Sequence, residues 1–436
     1  MTTAASSPDF EYVPRIVDAE LGDYLTSLGV ISIEGAKAVG KTATALQHAR
    51  TVYELDDPAV LDIAEADPRR LFQGERPILI DEWQRLPSVW DLARRQADNP
   101  SNPPGSYLLA GSATPVADAS LHSGAGRIVS VRMRPLSLSE RGVATTTVSL
   151  RALLEGSRPD LAGATDVRLE TYVDEILVSG FPGIRALSTG QARRAQLDGY
   201  VRRIVDRDFP EQGHRVRRPA TLRGWLAAYA AASSQTTAFE AIRDAATPGQ
   251  REKPTRKATI PYRDILQRLW ILDPVEPWTT SRNLFKRLGA SPKHQLVDPA
   301  LASRLLNVNR ATLLSGKGVG PPIPREGTLL GALFESLVTL DVRVYSQAAE
   351  ADVSHLRTSR GDHEVDLIVQ PRNTPGVVAI DVKLASTIGS EDVRHLKWLQ
   401  GELGDDLIDA IVITTGQAAY RRKDGIGVVP AALLGP

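Results

Sequence analysis

Short runs of consecutive apolar residues punctuate the first third of the chain: Ile31 and Ile33 around Ser32, then Ile78-Leu79-Ile80, then Tyr107-Leu108-Leu109-Ala110. Uninterrupted apolar runs predict strands buried on both faces of a parallel sheet, where alternation is lost. Helix-like stretches surround them, IVDAELGDYLTSL before the first run and ATALQHAR soon after it. From about residue 151 the pattern changes to helical spacing. Tyr172, Val173, Ile176, Leu177 and Val178 predict one apolar helix face, closed by Gly180 and Pro182. Three further helical patterns follow between 221 and 272 (LRGWLAAYAAAS, TAFEAIRDAA and IPYRDILQRLWIL), with a strand-like tail. The C-terminal third predicts a long helix, TLLGALFESLVTLDVRVY, then strands in HEVDLIVQ, VVAIDVKLAS and IDAIVITTG, with EDVRHLKWLQ as a helix between the last two. At 436 residues the chain exceeds one ordinary core and predicts two to four domains.

The first apolar run leads straight into Gly35-Ala36-Lys37-Ala38-Val39-Gly40-Lys41-Thr42-Ala43. This is G-x-x-x-x-G-K-[ST] between a strand and a helix, the setting in which it binds phosphate. Gly35 and Gly40 permit positive φ and close backbone approach. The loop N–H groups and the following helix start form an anion cradle. Lys41 is expected to reach the β- and γ-phosphates of ATP, and Thr42 to place its hydroxyl on Mg²⁺.

The second run ends in Asp81-Glu82, about forty residues downstream. Ligands of open α/β sheets sit at the C-terminal ends of the strands. Asp81 is expected to support Mg²⁺ and Glu82 to orient and polarise an attacking water. The third run ends in Gly111-Ser112, and Ser112 is expected to touch the γ-phosphate or that water. Arg127 is a candidate for stabilising transition-state charge in its own site or a neighbouring subunit's, with Arg134 as the competing candidate.

The succession of the P-loop, LIDEWQRLP, LLAGSAT, GAGR and RPLSLSE resembles a bacterial and archaeal family that joins an AAA-type P-loop ATPase domain to a C-terminal region of unknown function. VSGFPG, VRRIVDRDF, HQLVDPAL and HEVDLIV with AIDVKLAS extend the resemblance over most of the chain. Ala36 and Ala38 depart from the bulkier or polar residues common in that loop. The implied fold class is α/β. It has a parallel-sheet ATPase domain (1–150), a helical lid (151–218), a winged-helix-like segment (219–289) and a restriction-endonuclease-like domain (290–436).

In that last fold a helix carboxylate, a strand Asp and a D-x-K strand converge on one edge. Here these are Glu335, Asp366, and Asp381 with Lys383. The carboxylates are expected to bind a divalent ion, and Lys383 to activate water. Strand alternation puts Asp381 and Lys383 on one face.

Lys and Arg total 52, as do Asp and Glu, so net charge gives no argument for a nucleic-acid partner and local clusters must carry it. One cluster runs through Arg193, Arg194, Arg202, Arg203, Arg207, His214, Arg215, Arg217 and Arg218, interleaved with Asp198, Asp206, Asp208 and Glu211. Another holds Arg251, Lys253, Arg256 and Lys257. Both read either as solvated surface or as contacts to DNA. The absence of cysteine excludes disulfides, thiolate zinc sites and cysteine nucleophiles. No secretory leader or membrane-length apolar run is present, so a cytoplasmic setting without a membrane partner is expected. Two outputs stay open: ATP turnover coupled to DNA engagement, or a slow nucleotide switch assembling with a protein partner of toxin–antitoxin or defence type. A homo-oligomer is compatible with either.

Overall fold

The computed structural model describes residues 11–112, 125–247, 255–278, 291–316, 327–358 and 361–436. Arg251 and Lys253 of the second basic cluster lie outside these residues. The chain forms two compact units, one of Met1–Arg134 with Phe181–Ala192, the other of Pro135–Gly180 with Arg193–Pro436. The segment 151–218 is thus shared between them.

The first unit is built on a parallel sheet of β1 (Val30–Glu34), β2 (Thr51–Glu54), β3 (Ile78–Asp81), β4 (Tyr107–Gly111) and β5 (Ile128–Arg132). Its order is β2-β3-β4-β1-β5. All four residues of β3 and all five of β4 are buried, as their apolar runs predict. Ser88–Ala97 is a helix whose Val89 and Ala93 pack into the core on one side of the sheet, where Trp83 stacks on Trp90 at 4.8 Å. The order has a functional consequence: β4 lies between the strand that feeds the glycine loop and the strand that ends in the acids. The tip of β4 therefore reaches both.

The second unit carries a seven-stranded mixed sheet of β7 (Glu276–Pro277), β8 (Ala351–Arg357), β9 (Glu364–Pro371), β10 (Val377–Lys383), β11 (Leu407–Thr414), β12 (Tyr420–Arg421) and β13 (Gly427–Pro430). The order is β12-β13-β11-β10-β9-β8-β7. A separate parallel pair joins β6 (Val148–Ser149) to β14 (Leu434–Gly435). The helix Leu329–Ala348 buries residues on nearly all its faces, which explains its almost unbroken apolar sequence. The helices Pro219–Ala231, Phe239–Ala245 and Arg256–Arg268 precede two antiparallel bridges, Leu272 to Leu296 and Val275 to Lys293.

Candidate functional site

The loop after β1 takes the backbone shape its glycines predict. Gly35 has φ +151°, and a Cβ there would lie 2.3 Å from the Met133 carbonyl oxygen; Gly40, at φ +103°, opens the helix Lys41–Leu46. Ala38 adopts φ +67° without being glycine, which costs about 1–2 kcal/mol. Lys41 is buried and folds back on the loop, donating to Gly35 O at 3.0 Å and Ala36 O at 2.9 Å. Burial pushes its ammonium down to about 8, against the pull of Glu82 and Asp81.

Thr42 Oγ1 donates to Asp81 Oδ2 at 2.8 Å, joining the loop to the tip of β3. Burial raises the Asp81 carboxyl to about 6, with the Thr42 bond opposing the rise. Glu82 follows in a left-handed conformation, φ +51°. Its Oε2 accepts from Gln84 Nε2 and from Ser112 Oγ, the latter at 3.4 Å. Thr42, Asp81, Glu82 and Ser112 are thus gathered where β3 and β4 end. Ala36 and Val39 are buried, Lys37 half-buried, and Ala43 faces solvent.

Arg127 is not part of this group. Val30 pairs with Ile128 in parallel register, so Arg127 lies at the edge where β1 begins, whereas the loop follows where β1 ends. Its Nε holds both oxygens of Asp98, at 2.6 and 2.8 Å. A role in its own nucleotide site is corrected by the strand direction. Arg134, past the C-terminal end of β5, is on the loop's side.

Sequence reasoning missed Tyr12 and Arg15, which have no motif spacing to reveal them. The Tyr12 hydroxyl bonds Asp18 at 2.6 Å and lies 3.0 Å from Thr44 Oγ1. Arg15 donates to the carbonyls of Val39 at 2.8 Å and Arg134 at 2.7 Å, bracing the loop from behind.

In the second unit, Glu335, Asp366, Asp381 and Lys383 do converge, but around a fifth residue. Lys293 Nζ, fully buried, lies 2.8 Å from Glu335 Oε1, 3.0 Å from Asp366 Oδ1 and 3.3 Å from Glu364 Oε1. Asp366 Oδ2 also accepts from the Val382 N–H at 2.8 Å, and Lys383 stands 3.8 Å from Asp381. Burial pushes Glu335 up to about 8 and Asp381 to about 7, with Asp366 adding to both. Burial acts the same way on Asp366, but Lys293 and Lys383 outweigh it and hold that carboxyl below its ordinary value. The expected divalent-metal site at Glu335, Asp366 and Asp381 is therefore corrected, because the Lys293 ammonium bridges Glu335 and Asp366 and Lys383 faces Asp381. Among the described residues, no group of three or more His, Cys, Asp or Glu is arranged to hold a metal ion.

The interleaved acids of the basic stretch are engaged: Asp206 pairs with Arg223 at 3.2 Å, Asp208 with Arg203 at 3.6 Å, and Asp198 with Arg304. No helix among the described residues is long and apolar enough to cross a membrane.

Residues 28–142 match the family model of an AAA domain. The parallel sheet and its glycine loop lie within this match and form an AAA-type P-loop domain. Residues 169–312 and 330–434 match two domains of unknown function, DUF8612 and DUF4143. Uncharacterized proteins of Mycobacterium bovis and Mycobacterium tuberculosis are each 25% identical over 368 residues, covering 83% of this chain and 72% of theirs. The Walker-type ATPase PABY2304 of Pyrococcus abyssi is 17% identical with a TM-score of 0.39, covering 66% of this chain and 94% of that one.

Proposed function

We propose that this chain is a Mg²⁺-dependent ATPase that couples nucleotide turnover to DNA engagement by its C-terminal half, without cutting the DNA. The observation that carries the ATPase reading is the 2.8 Å bond from Thr42 to Asp81, with Glu82 and Ser112 3.4 Å apart beside it. The loop's positive-φ geometry and close backbone fit a phosphate group, and the Thr42 hydroxyl with the Asp81 carboxylate is an oxygen-donor pair that fits Mg²⁺. Bound Mg²⁺-ATP supplies the phosphoanhydride and the metal charge that offsets its phosphates. Residues 35–43 cradle the phosphates, with Lys41 released from the Gly35 and Ala36 carbonyls to meet them. Thr42 and Asp81 would hold the ion, whose charge would offset that of the phosphates. Glu82 orients and polarises the attacking water, held by Gln84 and Ser112. Arg134 is the arginine on the side where charge develops.

The DNA reading is supported by the three helices and the antiparallel bridges found among the described residues of 219–296, an order compatible with a winged helix. Cleavage is not part of the proposal, because the Lys293 ammonium pairs with Glu335 and Asp366, two of the carboxylates a nuclease would use. The test is phosphate release with and without single- and double-stranded DNA. Glu82→Gln should retain ATP binding and lose about 10²–10⁴-fold in turnover. Lys41→Ala should lose ATP binding. Release by wild type that Glu82→Gln leaves unchanged would defeat the catalytic assignment. Release indifferent to DNA would defeat the coupling.

A further inference from the structure

We infer that a cavity of about 1040 Å³ between residues 214–221 and the first turns of the helix Arg256–Arg268 binds the phosphodiester backbone of DNA. This rests on the DNA-engagement reading and gives it a surface. His214, Arg215, Arg217, Arg218 and Lys257 line the cavity, and among the described residues no Asp or Glu does. Such one-sided charge is unexpected on a chain with equal numbers of acids and bases. Among the described residues, no carboxylate pairs with Arg215, Arg217 or Lys257, although the acids just upstream, Asp206 and Asp208, have arginine partners of their own.

The floor and rim differ in character. Tyr262, buried, packs edge-on against Phe209 at 6.0 Å, Trp225 at 6.2 Å and His214 at 6.3 Å, so the floor is a fixed aromatic block. Arg215, Arg217 and Lys257 are exposed on the rim. Val216 between the two arginines is half-buried, which turns both outward from a non-helical stretch. Two residues of extended chain span at most about 7 Å, so the two guanidinium groups can meet different phosphates of one strand. Arg215, Arg217 and Lys257 on an open concavity, without a set of side-chain amides to read base edges, suit the phosphate backbone and not base sequence. Mutual repulsion among these cations is relieved when a polyanion replaces the small counterions.

The experiment is fluorescence anisotropy of a labelled 20-mer, duplex and single-stranded, with the full chain and no nucleotide, over a salt series. The proteins are wild type, the triple variant Arg215→Gln/Arg217→Gln/Lys257→Gln, Lys257→Glu, and Arg372→Gln as an exposed control whose arginine pairs with Asp352. The triple variant should bind at least about tenfold more weakly, and its log-affinity slope against log salt should be shallower by roughly 3 units. Lys257→Glu should weaken binding in the same direction, while Arg372→Gln should match wild type. Preference for duplex or single strand identifies the form recognised, and either supports the site. The inference is overturned if wild type binds neither DNA, if the triple variant keeps wild-type affinity and slope, or if equimolar inorganic tripolyphosphate displaces the DNA. ATP binding by wild type without DNA is measured separately. Its failure would sink the ATPase reading and leave this result standing.

Discussion

Lys293 Nζ stands 2.8 Å from Glu335 Oε1 and makes that helix carboxylate the end of a buried ion pair, not an open ligand. The same ammonium reaches Asp366 and Glu364, so one cation answers three acids brought in from a helix and a strand. Burial of charge is costly unless each charge has a partner, and Lys293 is the cation that Glu335, Glu364 and Asp366 share.

Lys293→Met should therefore destabilise the protein by about 3–5 kcal/mol, the usual result of removing one member of a buried pair. Urea unfolding measures this directly. Millimolar Mn²⁺ should recover part of the loss in the variant and leave wild type unmoved, since the freed carboxylates offer oxygen ligands. A variant as stable as wild type would mean that the acids accept their protons at little expense.

His294 is fully buried between Tyr229 and Phe239, with Nε2 2.7 Å from the Thr237 carbonyl. Burial lowers its pKa to about 4, and that of His355 to about 3. The unfolded chain binds these protons near 6.5. Stability from each is thus complete above about 6.5 and is lost as pH falls toward the folded value, by up to about 1.4 kcal/mol per unit. Asp341, raised to about 7 by burial, acts in the opposite sense but is common to both proteins compared. The unfolding free energy of His294→Gln should fall less steeply between pH 6.5 and 4.5 than that of wild type. Parallel profiles would show that His294 titrates normally in the folded state.

The Arg141 side chain is completely buried and acts as a fork. Its Nε donates to Leu136 O at 2.8 Å, and its Nη1 to both the Glu175 carbonyl at 3.0 Å and the Glu175 carboxylate at 3.1 Å. Arg141→Met should lose about 3–5 kcal/mol. Arg141→Lys should restore little, because an ammonium lacks the planar fork. Full recovery by lysine in denaturant titrations would reduce the role to simple charge.

Ala38→Gly tests the strain in the phosphate loop. Relief of about 1–2 kcal/mol at φ +67° is offset by about 0.4–1 kcal/mol of added freedom in the unfolded chain. The net expectation is a gain of roughly 0.5–1 kcal/mol in thermal unfolding without nucleotide. A loss would mean that the methyl group makes contacts outweighing the strain.

Much of the first unit was legible because buried parallel strands leave continuous apolar runs. β1, β3 and β4 fall where those runs lie, and their ends bring Thr42, Asp81, Glu82 and Ser112 together. β2 alternates half-buried with exposed residues and left no such trace. That Arg127 stands away from its own chain's glycine loop was not legible, because its position depends on which way β5 runs, and a stretch of sequence reads alike in either direction. Lys293 escaped for a different reason. Its partners lie 42 and 73 residues away, and no periodicity announces a lysine about to be buried among acids. The helix and strand carrying those acids were readable, but the lysine that pairs with them was not.

The pairing of β6 with β14 bears on synthesis. Val148 leaves the ribosome before Leu434, its strand partner, by 434 − 148 = 286 residues. At about 5–20 residues per second that interval is roughly 14–57 s. Throughout it, an early strand must wait without its neighbour while the sheet of the second unit is still being made. A nascent chain arrested before residue 434 should therefore leave the segment around Val148 open to protease, however well the first unit has already folded.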